Sequence, residues 1–184
     1  MMNRLFIALE IPSGVLDCIE GLRDSIYGPD SRVRWESRDK LHITLKFLGD
    51  TGTELIEPIM ELLQNLSGKS VAMEMEFTRF GMFYREKNPS ILWLGLKENL
   101  QLNTLFADID NGLAELGFKK ENREFKPHLT ILRIKGKEDI QKLKKFVSEP
   151  ELNIKFRGER ITLFKSTLKP SGSVYEEIKS FLLK

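Results

Sequence analysis

The 184 residues suffice for one domain or two small packed lobes, and 41% hydrophobic with 30% charged residues excludes a disordered chain. No apolar run approaches the roughly 20 residues that span a bilayer and the N-terminal one is too short for a signal peptide, so no membrane association is expected. A net charge of +2 excludes an unselective grip on duplex nucleic acid, and the lone cysteine, Cys18, precludes an internal disulfide and points to the cytoplasm.

Residues 4–9 form a short apolar run closed by Pro12 and read as a buried strand. Ser13 caps a helical pattern with Val15, Leu16, Ile19, Leu22 and Ile26 on one side, stopping at Gly28-Pro29. Residues 41–48 read as a strand closed by Gly49-Asp50, and Thr53 opens a second helix that Ser67-Gly68 breaks. Val71, Met73, Met75 and Phe77 alternate with polar residues as a half-buried strand. A loop is expected over 81–90. Residues 91–96 then read as a strand with Trp93 in the core, and 100–116 as a helix ending at Gly117. A strand over 127–134 and a helix over 138–147, stopped before Pro150, follow. Residues 154–156 and 161–163 alternate as strands, while 174–183 fit either a strand or a helix.

The order strand, helix, strand, helix, strand occurs twice. The strands at 4–9 and 91–96 lie 87 residues apart, and His42 and His128 lie 86 apart, as do Phe77 and Leu163. One offset for three landmarks makes the chain a structural duplication: a single domain over 1–184, with halves near 1–80 and 91–166 and a tail at 167–184. The expected class is α+β, two pseudo-symmetric lobes whose antiparallel sheets line a central cleft with helices on the outer faces.

Both histidines of the chain fall in one pattern, His42-Ile43-Thr44-Leu45 and His128-Leu129-Thr130-Ile131. On a strand, residues two apart share a face, so each His and Thr point one way and the intervening apolar pair anchors the strand from behind. Either motif alone reads as an ordinary structural histidine; the matched pair at the duplication offset does not. Two imidazoles and two hydroxyls at one cleft suit phosphodiester hydrolysis. One imidazole takes a proton from water, the other gives one to the departing ribose oxygen, and the hydroxyls donate to phosphate oxygens. Basic residues flank both motifs, Arg32, Arg34, Arg38, Lys40 and Lys46 near the first and Arg123, Lys126, Arg133 and Lys135 near the second. A zinc site needs three or four ligands, and two histidines with a distant Cys18 fall short, so neither metal nor other cofactor is expected.

At these residues the chain resembles the two-histidine (2H) phosphoesterases, most closely the branch of RNA 2',3'-cyclic phosphodiesterases, also called 2'-5' RNA ligases. The resemblance extends over nearly the whole chain. It includes Arg4-Leu5-Phe6-Ile7-Ala8-Leu9, Trp35, the first motif with Phe47-Leu48-Gly49, and Leu92-Trp93-Leu94-Gly95. It continues through Phe125-Lys126-Pro127 and the second motif with Arg133, then Ser166-Thr167-Leu168, Gly172 and Tyr175. Ile131 stands where leucine is commoner in the family. The resemblance implies metal-free opening of a terminal 2',3'-cyclic phosphate to a 2'-phosphate in a basic cleft. It further implies His42 as general acid, His128 as general base and Arg133 as a phosphate contact.

Three aromatic residues are further candidates for the substrate cleft. Trp35, beside Arg34, either stacks a base or packs half-buried at an edge; Phe83 sits in the expected 81–90 loop; Phe47 holds the position after His42 that Arg133 holds after His128. The leading function is hydrolysis at RNA ends or of cyclic nucleotides by a monomer. The alternatives are a ligase running the reverse reaction and a non-catalytic module that binds RNA ends.

Overall fold

The computed structural model describes residues 2–28, 32–148, 152–170 and 172–184. Pro29 and Pro150, expected to stop helices, lie outside them. The strands are β1 (Met2–Glu10), β2 (His42–Gly52), β3 (Met73–Arg85), β4 (Asn88–Leu96), β5 (His128–Arg133), β6 (Ile154–Gly158), β7 (Arg160–Lys169) and β8 (Gly172–Leu182). The helices are α1 (Ser13–Tyr27), α2 (Ile56–Ser67), α3 (Leu100–Glu115) and α4 (Ile140–Val147). None among the described residues is long and apolar enough to cross a membrane.

All eight strands join one antiparallel sheet in the order β6-β3-β4-β5-β2-β1-β7-β8, curled into a half-barrel. The α+β class and the pseudo-twofold arrangement are as the duplication implies, with β2 and β5 together at the centre. The two expected sheets are continuous across that centre, where Ile43 pairs with Leu129. The last strand of each repeat lies beside the first strand of the other: β3 pairs with β4 and β7 with β1.

Alternation sets the two faces. Leu5, Ile7, Leu9, Ile43, Leu92, Leu94, Leu129, Ile161 and Leu163 are buried on the convex side, with Ile19, Ile59, Leu63, Leu105, Ile109 and Leu143 of the four helices in the same core. The intervening residues face the concave side and form its floor.

Local expectations fare unevenly. Ser13 is the first residue of α1 and Pro12 takes the cap position, with no side-chain cap bond. Residues 81–90 are a hairpin, not a loop: β3 and β4 meet at a two-residue turn in which Glu86 and Lys87 both take positive φ, 48° and 69°. Such turns normally carry Asn or Gly, so Glu-Lys gave no turn signal. The ambiguous tail is a strand, β8, paired along its length with β7. Trp93 is not core: Leu92 and Leu94 fill the convex side, so alternation turns the indole to the concave one. Room for it comes from Gly81 and Gly95, where a Cβ would lie 2.2 and 2.8 Å from the ring.

Candidate active site

The pairing of Ile43 with Leu129 fixes the centre of the concave face. In this antiparallel register His42 stands opposite Thr130, and Thr44 opposite His128. Both anchors are fully buried, so the four functional side chains are turned away from the core. The two motifs therefore share one face at the seam.

Each motif strand carries a bulge three residues after its histidine. In β2 the partners of Ile7 and Ala8 are Lys46 and Thr44, which skips Leu45; in β5 the partners of Leu92 and Trp93 are Leu132 and Thr130, which skips Ile131. A bulge inverts the alternation beyond it. Strict alternation from the histidines would bury Arg133 and Phe47; the bulges return both to the concave face. They also turn Lys46 and Leu132 toward the helices. Lys46 is 8% exposed there, and its Nζ donates to Asp110 of α3 and to the Lys119 carbonyl at 2.9 Å.

His42 sits among aromatic rings, with Phe6 stacked at 5.0 Å, Tyr175 edge-on at 5.4 Å and Phe164 at 5.9 Å. Burial, with a smaller push from the positive charge of Arg133, lowers its pKa from 6.5 to about 4. Its Nδ1 is buried and has no hydrogen-bond partner among the described residues. His128 is held differently. Its Nδ1 lies 2.8 Å from the Lys126 carbonyl, which can only accept, so Nδ1 carries the proton and Nε2 is left for chemistry. Phe83 stands perpendicular to this ring at 4.9 Å, and Trp93 lies at 6.3 Å. The segment leading into His128 is fixed to α3, where Phe125 stacks on Phe106 at 4.0 Å and Asp110 accepts from the Glu121 N–H.

Arg133 Nε lies 3.0 Å from Glu36 Oε1. Glu36 in turn donates its backbone N–H to the carbonyl of the bulged Ile131 at 3.0 Å. Among the described residues Glu36 is the carboxylate paired with Arg133, and the guanidinium charge bears on both His42 and Tyr175. Burial raises the Tyr175 hydroxyl pKa, so that side chain stays neutral.

The structure thus brings His42, Thr44, His128, Thr130 and Arg133 to one concave surface, with Phe83 against His128. Phe47 is 69% exposed, with its ring 5.8 Å from that of Phe6. Trp35 is elsewhere: it bridges the core-facing Leu132 and packs near Tyr27 and Arg23 of α1. Several flanking cations are taken up in ion pairs, Arg38 with Asp17 and Glu20, and Lys126 with Glu124. Phe6, Phe164, Tyr175 and Glu36 were not anticipated as site residues. Phe6 was hidden because Leu5-Phe6-Ile7 is uniformly apolar, although alternation with the two core residues puts it on the site's face. Among the described residues no three His, Cys, Asp or Glu side chains stand together as metal ligands.

Comparison with known proteins agrees with this geometry. The sequence profile of the 2'-5' RNA ligase superfamily matches residues 12–169. The chain is 34% identical over 180 residues to the RNA 2',3'-cyclic phosphodiesterase of Methanocaldococcus jannaschii, covering 97% of this chain and 99% of that one. It is 27% identical to the enzyme of that name from Methanothermobacter thermautotrophicus over the full length of both. The crystal structure of TT0787 from Thermus thermophilus shares the fold, with a TM-score of 0.82 at 24% identity over 98% of this chain and 97% of that one. A matched pair of His-x-Thr strands in a shared half-barrel, with relatives aligned from end to end, places this chain in the 2'-5' RNA ligase superfamily of 2H phosphoesterases.

Proposed function

We propose that this chain opens the terminal 2',3'-cyclic phosphate of RNA to a 2'-phosphate, with His128 as general base and His42 as general acid. The observation that carries this is the seam register, which puts both imidazoles and both threonine hydroxyls on one face. The activity is that of its relatives; the roles follow from the surroundings of each residue.

His128 suits the base. The Lys126 carbonyl holds its Nδ1–H, so Nε2 offers a lone pair to water and the resulting imidazolium keeps its hydrogen bond. The water oxygen attacks phosphorus as the bond to the 3'-oxygen breaks, and that oxygen takes a proton from His42. Thr44 and Thr130 donate to the non-bridging oxygens, and Arg133 balances the charge that builds on them. His42 is neutral in the free protein near pH 7. An incoming phosphate anion favours the imidazolium, so substrate and catalytic proton arrive together. The chain's own groups account for both proton transfers, and we write the reaction without a metal. We place it in the cytoplasm, where an exposed thiol such as Cys18 stays reduced.

The test is hydrolysis of a 2',3'-cyclic nucleotide by purified, EDTA-treated protein. His42→Ala and His128→Ala should each lower kcat by about 100-fold or more. Unchanged turnover in both would sink the proposal, and a 3'-phosphate product would reverse which oxygen leaves.

A further inference from the structure

Beside His128 a cleft of about 490 Å³ crosses β4 toward β3. That volume lies within the range of small-molecule sites. Its floor follows the strand register: His128 pairs with Gly95, and Gly95 with Arg79. The three residues lie in line on neighbouring strands, so about 10 Å separates the backbones of His128 and Arg79. Gly95 keeps the line open. A Cβ there would stand 2.8 Å from the Trp93 ring and 3.4 Å from Arg79 Cγ. Arg79 Nε lies 3.5 Å from the same position, so the Arg79 side chain lies over the Gly95 backbone, one strand away from His128.

The charges within the cleft single out this residue. Lys126 is paired with Glu124 at 3.2 Å, whereas among the described residues no carboxylate is within ion-pair distance of Arg79. Glu98 is the remaining carboxylate of the lining. Phe83 and Trp93, 5.3 Å apart, add ring surface to the same lining beside His128. The cleft thus holds the His128 imidazole, a planar cation over the neighbouring Gly95 without an ion-pair partner among the described residues, and aromatic surface beside them.

An RNA end has a matching layout: a cyclic phosphate, a nucleoside, and then a phosphodiester anion. A cyclic mononucleotide with a free 5'-hydroxyl lacks the second anion. We propose that Arg79 holds the phosphodiester on the 5' side of the terminal nucleoside, which makes the enzyme select RNA ends over free cyclic mononucleotides. Guanidinium forks match phosphate oxygens in pairs, which an ammonium does not. This inference rests on the phosphodiesterase reading above.

The experiment compares kcat/KM for a 2',3'-cyclic nucleoside monophosphate and for a dinucleotide ending in the same cyclic phosphate. The wild-type protein should prefer the dinucleotide. In Arg79→Ala the dinucleotide-to-mononucleotide ratio should fall tenfold or more, and Arg79→Lys should recover part of it. Raising salt should depress dinucleotide cleavage more steeply in the wild type than in Arg79→Ala, since one phosphate contact is gone. An unchanged ratio, or a parallel loss on both substrates, overturns the assignment while the phosphodiesterase reading stands. If the wild type cleaves neither substrate, that reading fails and takes this one with it.

Discussion

The two histidines share a motif but not an environment. His42 is enclosed by Phe6, Phe164 and Tyr175, whereas His128 is tied to a backbone carbonyl. The enclosure affects stability as well as chemistry. Native His42 takes no proton until about pH 4, while in the unfolded chain it does so below about 6.5. Its pKa is lower in the native state, so stability is full above pH 6.5 and drains away as pH falls to 4, by about 3 kcal/mol in all. His42→Gln should flatten that part of the curve, and urea titrations from pH 7 to 4 check it; an equally steep fall in the variant would locate the effect elsewhere. Glu36 acts through another residue. By pairing with Arg133 Nε at 3.0 Å it orients the guanidinium. Glu36→Gln should lower kcat/KM on a cyclic nucleotide by about fivefold, equivalent to about 1 kcal/mol for a half-exposed pair. Steady-state kinetics decides, and no change in kcat/KM would remove Glu36 from the site.

Among the elements, α3 does more than cover the sheet. Asp110 receives the ammonium of Lys46 from β2 and the Glu121 N–H from the segment that leads into β5, so one carboxylate ties both motif strands to the same helix. Lys46 and Asp110 are each 8% exposed. Removing one member of such a pair strands a buried charge, and Asp110→Ala should cost about 3 kcal/mol. Replacing both by apolar residues of similar volume should cost less. Equilibrium unfolding in urea measures both variants, and a double variant less stable than Asp110→Ala would contradict this account. The two bulges belong to this scale too. They aim Arg133 and Phe47 at the cleft, and Glu36 secures the one in β5.

Across the whole molecule, the exchange of β3 and β7 decides how the protein unfolds. Each flank of the sheet contains a strand from the other half of the sequence, and the core is one cluster. The chain should unfold in a single transition, with circular dichroism and tryptophan fluorescence coinciding. A fragment ending at the β3–β4 turn would leave β3 without β4 and β1 without β7, and should be unfolded on its own. Two resolved transitions, or a folded fragment, would show that the halves are independent.

The sequence by itself determined the matched histidine motifs, the repeated order of the elements and most of the core, because each rests on local repetition: His-x-Thr on a strand, an offset of 86 or 87 residues, apolar residues at alternate positions. It also marked Arg133, though only through family resemblance. The tertiary structure decided which face several of these residues occupy. Arg133 and Phe47 reach the cleft through bulges at Ile131 and Leu45, which exist only in register with a neighbouring strand. Trp35 and Trp93 take definite places that the sequence left open or misassigned, one against α1 and one beside His128. The hairpin at Glu86-Lys87 and the strand β8 are likewise imposed by pairing partners distant in sequence or poor in turn signals. Chemistry was written in short motifs, whereas direction and protonation came from long-range contacts, because burial and register are properties of the assembled sheet.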